Sequence, residues 1–286
     1  MMQRTAGLIL LLILIAQALS QVAPSQPDAY LKDATISEAE GSIHLVAYSP
    51  RPLAQALDAL QRKYGWVVDY EDPRYVSKVD VTELADPLRG PKPRLLPVGG
   101  RFEAGFPMPT GEVSAEAAKD TEEKALRLVV DAYNHSRNAG QFEVRKSRAG
   151  DLFVVGVAAH DSKGALAAQK AIFDTPITLV RAKRNGTDAI QLICRRVTAR
   201  TGVPLNLGVS PRILLDHNPV TAGGTRVAAR ELLLQVLSQT RSPCYWRLLF
   251  DPDSKGYFLD IHAVPATKAP PAPTPPATAP PAKNPS

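Results

Sequence analysis

Two stretches of this chain repeat one another, and the repeat limits the folds open to it more than any other feature. Residues 43–70 read IHLVAYSPRPLAQALDALQRKYGWVVDY, and residues 177–207 read ITLVRAKRNGTDAIQLICRRVTARTGVPLNL. Each gives a short strand, a polar turn, an amphipathic helix, a glycine stop and a second strand. In the first helix Leu53, Ala56, Leu57, Leu60 and Tyr64 recur at spacings of three and four, which places them on one face. A shift of 137 positions puts Ile190, Ile193, Cys194, Val197 and Thr201 in the same places and brings Gly65 onto Gly202. A glycine there suits the left-handed residue that ends a helix. Pro52 near the first helix start, and Thr187 or Asp188 at the second, are suitable N-terminal signals.

The downstream halves correspond as well. Glu122–His135 gives a helix with Leu126, Val129, Val130 and Tyr133 on one side, and Val227–Gln239 offers Leu233, Val236 and Leu237. A hairpin follows each helix. Phe142–Lys146 and Leu152–Ala158 flank a Ser-Arg-Ala-Gly turn, while Tyr245–Phe250 and Tyr257–Val264 flank Asp-Pro-Asp-Ser-Lys-Gly. The expected fold is α+β, two tandem small modules of β-α-β-β-α-β-β order. The first module covers 42–159, the second 176–264, and alanine-rich 160–175 reads as a connecting helix.

The 26 prolines of the 286 residues sort into two places. Residues 86–110 hold six, with several glycines, and read as an irregular insertion in the first module with one short strand at Arg101–Phe106. Residues 268–286 hold eight and no aromatic or branched aliphatic side chain. With nothing to bury, residues 265–286 are expected to form a disordered, extended tail. At the other end Arg4, the apolar run Leu8–Ala16 and the small residues before Gln21 have the pattern of a secretory signal peptide over 1–20, cleaved after Ser20. Residues 21–41 read as a polar lead-in. The expected location is therefore exported, periplasmic or extracellular.

The module order, with Pro52-Leu53-Ala54-Gln55-Ala56-Leu57-Asp58-Ala59-Leu60, the Gly65 stop and Val67-Val68-Asp69-Tyr70, resembles the short N-terminal domain of secretins and TonB-dependent transducers. The second copy is similar in layout, through Asp188-Ala189-Ile190, Gly202 and Ala229-Arg230-Glu231-Leu232-Leu233. The resemblance implies a periplasmic, non-catalytic interaction module. In those families a pore-forming region or a plug and barrel follows; here Val264 is followed by the proline tail, a departure that removes the basis for a pore or uptake role.

Residues able to do chemistry are sparse. His44, His135, His160, His217 and His262 lack metal-binding spacings, and no Gly-x-Ser-x-Gly elbow occurs. Neither a catalytic residue, a metal site nor a cofactor is expected. Asp69, Glu71 and Asp72 could draw Ca²⁺ through carboxylate oxygens but read first as a solvated loop. In an oxidising compartment Cys194 and Cys244 could form a disulfide or stay reduced and buried. The densest basic region is Arg181, Lys183 and Arg184 with Arg195, Arg196 and Arg200, which could dock an acidic partner or anionic polymer or be a solvated helix face. A formal net charge of +6, spread along the chain, does not point to nucleic acid.

The function expected is protein–protein contact or assembly in the cell envelope, with any membrane association through a partner. The second module's terminal hairpin, through Tyr257, Phe258, Leu259 and Ile261, is the expected edge-strand contact, since an open edge can accept a partner strand. Two alternatives stand: a cell-wall hydrolase with a site assembled from scattered residues, and a spacer acting through its tail.

Overall fold

The computed structural model describes residues 32–48, 50–85, 93–108, 115–217 and 219–264. The signal-peptide and tail expectations fall outside them. In chain order the elements are β1 (Thr35–Ala39), β2 (Ser42–Ala47), α1 (Pro52–Tyr64), β3 (Val68–Glu71), β4 (Val81–Leu84), β5 (Arg94–Pro97) and β6 (Phe102–Pro107). There follow α2 (Ala115–Asn134), β7 (Gln141–Lys146), β8 (Leu152–His160), β9 (Leu166–Ala168) and β10 (Pro176–Arg184). The chain closes with α3 (Gly186–Thr201), β11 (Leu205–Leu207), α4 (Arg212–Asp216), β12 (Val220–Ala228), α5 (Ala229–Leu237), β13 (Cys244–Asp251) and β14 (Gly256–Ala263). The fold is α+β, and both copies of the repeat pair their strands alike. The first strand pairs antiparallel with the third, β2 with β6 and β10 with β12. The second runs parallel to the last, β3 beside β8 and β11 beside β14. Even the register agrees: Val68 and Asp69 face Leu152 and Phe153, as Leu205 and Asn206 face Tyr257 and Phe258.

The helices form for the local reasons legible in their sequence. Leu53, Ala56, Leu57 and Leu60 of α1, and Ile190, Ile193, Cys194 and Val197 of α3, are all buried. Gly65 and Gly202 end the two helices at φ 73° and 71°, and each donates its N–H back to the fourth residue before it at 2.8 Å. The α3 N-cap is Asn185, just before the expected Thr187 or Asp188, and its side chain accepts from the Asp188 N–H at 2.6 Å.

Three segments depart from expectation. The lead-in contains β1, which pairs with β2 across Glu40 and Gly41, both at positive φ as a two-residue hairpin turn requires. Within 86–110 the strand expected at Arg101–Phe106 forms one residue later as Phe102–Pro107, and Arg94–Pro97 is a further, unexpected strand. β6 is the first copy's own third strand, and its pattern FEAGFP buries alternate residues. The true insertion is thus the β4–β5 hairpin and its flanks. No connecting helix forms at 160–175. Instead the Asp161 carboxylate accepts the N–H groups of Lys163 and Ala165, folding the chain back so that β9 pairs with β8. A 3-10 turn at Ile172–Asp174 then buries Ile172 and Phe173.

Two compact units result, and they differ from the sequential modules. Unit 1 is 1–59, 74–143 and 158–168; unit 2 is 60–73, 144–157 and 169–286. Segment 60–73, with β3, therefore belongs to unit 2 although it lies inside the first repeat. Unit 1 is built on the antiparallel sheet β1-β2-β6, with Phe102 and Phe142 edge-on to the Tyr133 ring at 5.4 and 5.3 Å. In this unit the part-buried His160 reaches the buried Asp80 carboxylate with both its ring Nδ1 and its backbone N–H, each at 2.7 Å. Unit 2 holds the β10–β12 pair and the main sheet, of order β11-β14-β13-β3-β8-β7. Its core is Trp246, wholly buried, with Phe173 edge-on at 5.2 Å and Phe153 at 6.3 Å.

Candidate functional site

The most unusual chemistry in unit 2 is carried by β3, whose four residues are all buried although two are acidic. Backbone pairing of β3 with β13 is short, limited to Tyr70 with Arg247 and Glu71 with Leu248. Side chains extend it at both ends. Asp69 accepts the Trp246 N–H at 2.9 Å, and Asp72 accepts the Phe250 N–H at 3.0 Å while its own N–H donates to the Leu248 carbonyl at 2.9 Å. Tyr70 Oη donates to Asp72 at 2.6 Å, and Tyr257 Oη donates to the Asp72 carbonyl at 3.2 Å. Asp69, Glu71 and Asp72 are therefore not a solvated loop: they are 5, 0 and 1% exposed and occupied with backbone donors. Among the described residues no group of acidic, histidine or cysteine side chains is arranged to hold a metal ion.

Glu71 joins this junction to a charged cluster. It accepts the Phe173 N–H at 3.2 Å, and its Oε2 takes an Arg230 Nη2–H at 2.7 Å. The same Nη2 reaches Asp174 at 3.1 Å, and Arg145 Nη1 holds the other Asp174 oxygen at 2.6 Å. The Arg230 guanidinium also lies over the rings of Phe153 and Trp246, at 5.1 and 5.5 Å. Arg230 Nη1 and Trp246 Nε1 are buried with no hydrogen-bond acceptor, an arrangement whose cost the two ring faces offset only in part. Burial drives the carboxyls upward: Asp69 rises to about 7, chiefly by desolvation, against the opposing Trp246 N–H and Arg247 charge. Glu71 is raised by the same cause, with Arg230 pulling the other way.

Above this cluster lies a cleft of about 860 Å³. Its walls are the β7–β8 turn, with Arg145, Lys146 and Arg148, and the exposed side of α5, with Glu231, Leu234 and Gln235. Val67, Phe153, Leu237 and Pro243 add apolar surface to its lining, and Asp151 a further carboxylate. β7 ends the main sheet, so one wall of the cleft continues a sheet edge. Asn134 covers that edge at Phe142, taking its N–H at 2.9 Å and donating to its carbonyl at 2.8 Å.

The residues expected from sequence are distributed differently. Cys194 and Cys244 are both free thiols. Cys194 points into the core from α3, whereas Cys244 lines the cleft and donates to the Ser242 carbonyl at 3.5 Å, so the two do not bridge. Burial raises both thiols, Cys194 to about 12, which leaves neither an activated nucleophile. β14 is not an edge strand. It lies between β11 and β13, and Tyr257, Leu259 and Ile261 are at most 2% exposed, leaving only Phe258 outward. Short β11 covers it because Leu205, Asn206 and Leu207 match its register.

Of the basic residues, Arg181, Lys183 and Arg195 are exposed and Arg184 folds back onto the carbonyls of Val180 and Ala182. Arg196 and Arg200 come together in a second groove, beside Arg226, which sequence reasoning missed because it is distant in the chain. It also missed Arg230, Arg145 and Asp174, whose only sequence signal was an arginine in an otherwise apolar helix face. No family model, no curated protein and no solved structure matches the chain.

Proposed function

We propose that this protein is an exported, non-catalytic interaction module, similar in plan to the short N-terminal domains of secretins and TonB-dependent transducers, and that it receives an extended segment of an envelope protein in the cleft between the β7–β8 turn and α5. The observation that carries this reading is the cleft itself. It combines apolar side chains, a lining of both charge signs (Lys146 and Arg148 with Asp151 and Glu231) and an adjoining sheet edge, a combination that strand addition can use for affinity and selectivity. Its charged groups favour holding over reacting. Arg230, Asp174 and Arg145 are mutually paired, and the thiol that faces the cleft is held protonated. The cleft replaces the β14 hairpin as the contact surface, since β14 is enclosed.

Photo-crosslinking in the producing cells tests this. A crosslinker placed at Gln235 or Arg148, both lining the cleft, is expected to trap one discrete envelope protein. The same group at Val180, exposed on β10, is expected to trap none. Equal adducts from all three positions, or none from the cleft, count against the reading. The tail enters the same test, because Val264, the last described residue, donates to the carbonyl of Pro243, which lines the cleft, at 2.9 Å. Loss of the adduct on deleting 265–286 would favour the tail as the working part; persistence would favour the cleft.

A further inference from the structure

A second groove in unit 2, of about 340 Å³, lies between the start of β10, the later half of α3 and the end of β12. Its charged lining is three arginines: Arg196 and Arg200 from α3 and Arg226 from β12. All three are exposed, and none of them makes an ion pair with a described residue. Three separate features of this groove are unfavourable for the isolated molecule. Arg196 and Arg200 stand four apart on one helix, where like charges repel. Arg226 adds a third cation from another element. It does so from a left-handed backbone, φ 55°, a conformation that Gly or Asn adopts readily and that costs other residues about 1 kcal/mol or more.

The local fold explains how Arg226 is held there. The β10–β12 ladder slips between Ile177 and Leu179 and again between Leu179 and Ala182, irregularities that bend the strand and re-aim its side chains. The Arg226 N–H then donates to Thr178 Oγ1 at 3.1 Å, and Thr178 itself lines the groove. Arg226 thus lines the groove with the two α3 arginines, and among the described residues no carboxylate pairs with any of the three. Guanidinium forks match phosphate oxygens in pairs, and the groove contains arginine and no lysine. Three such cations around one small space suit a group carrying two negative charges better than a single carboxylate.

We infer that this groove is a binding site for a phosphoryl group, as carried by a phosphate ester, a pyrophosphate or a phospholipid headgroup, with Arg196, Arg200 and Arg226 as its ligands. The site is separate from the cleft, so its fate does not depend on the protein-binding reading.

The test is calorimetric titration of the full chain with inorganic pyrophosphate at low salt, with glutarate as the dicarboxylate control. Saturable binding to one site is expected, weaker at higher salt. Arg200→Ala and Arg226→Asn are each expected to weaken it at least tenfold. Arg226→Asn also separates binding from folding: relief of the left-handed strain should leave its melting temperature equal to or above that of the parent. Cosedimentation with phosphatidylglycerol vesicles, lost in the same variants, would assign the headgroup as source. Pyrophosphate binding without vesicle binding would assign a soluble phosphate. Absence of saturable pyrophosphate binding, affinity unchanged within twofold in both variants, or glutarate bound as tightly as pyrophosphate would overturn the inference. The last result would point to an acidic peptide instead.

Discussion

β3 and β11 occupy the same place in the two copies of the repeat, yet one lies in the middle of the main sheet and the other at its rim. Both follow a glycine-capped helix, and both run parallel to the last strand of their copy in matching register. The difference is in the residues that continue past this shared pairing. β3 and the residue after it carry Asp69, Glu71 and Asp72 where β11 and its continuation carry Asn206, Gly208 and Val209. The acidic set lets β3 take a second neighbour: two carboxylates clamp the Trp246 and Phe250 N–H groups, and the third anchors Arg230. β11 gains no such neighbour and stays an edge. Charge in a strand is thus not by itself a sign of solvent; it can equally supply the acceptors by which a short ladder is extended.

The largest effect should come from breaking the buried pair. Arg230→Met leaves the Glu71 carboxylate uncompensated and is expected to lower stability by about 3–5 kcal/mol in urea unfolding. Pairing it with Glu71→Gln, which retains the acceptor for the Phe173 N–H, should recover much of that loss. If the single variant unfolds at the parental urea concentration, Glu71 does not make β3 special.

The pH profile comes next. Asp69 binds its proton more tightly folded than unfolded, because burial raises its pKa from 3.8 to about 7. Its contribution is therefore whole below about pH 4 and is lost as pH rises toward 7, at a slope of up to about 1.4 kcal/mol per pH unit. Asp69→Asn should flatten the stability curve across that window, measured by denaturant titration at several pH values. An unchanged curve would assign the slope to other groups.

A direct contrast of the two strands is smaller still. Asp72→Ala strands the Phe250 N–H and the Tyr70 hydroxyl and is expected to cost about 1–3 kcal/mol. Asn206→Ala, at the exposed edge, should stay within about 0.5 kcal/mol. Similar losses from both would dissolve the comparison. The helix stops should show no contrast at all. Gly65→Ala and Gly202→Ala meet no neighbour within 4 Å, so each pays only the left-handed backbone strain, about 1 kcal/mol. A much larger loss at one of them would mean that the two helix ends are not equivalent.

Much of the fold was legible because its determinants are local. The apolar spacing of α1 and α3, the glycine stops and the turns of both terminal hairpins act within a few residues of one another. Local signals misled in the proline-rich and alanine-rich segments. There β5 is a strand because β4 offers it a partner, and the chain at 161–165 turns back because the Asp161 carboxylate caps the turn. The candidate sites were less legible than the fold. Arg196 and Arg200 could be read as neighbours on a helix, but nothing in the chain brings Arg226 to them, and Phe258 alone of the expected edge residues faces outward.

The sequence by itself determined that two α+β copies would form, where their helices would end, and which helix faces would be apolar. Only the tertiary structure decided that β3 leaves its own copy's compact unit to pair with β13, that its acids are buried, that β14 is enclosed, and that three arginines share one groove. The division has one physical cause. Helix periodicity and turn chemistry act between residues a few positions apart, whereas strand neighbours and charge partners are chosen across more than a hundred residues, by whichever arrangement leaves the fewest buried polar groups unsatisfied.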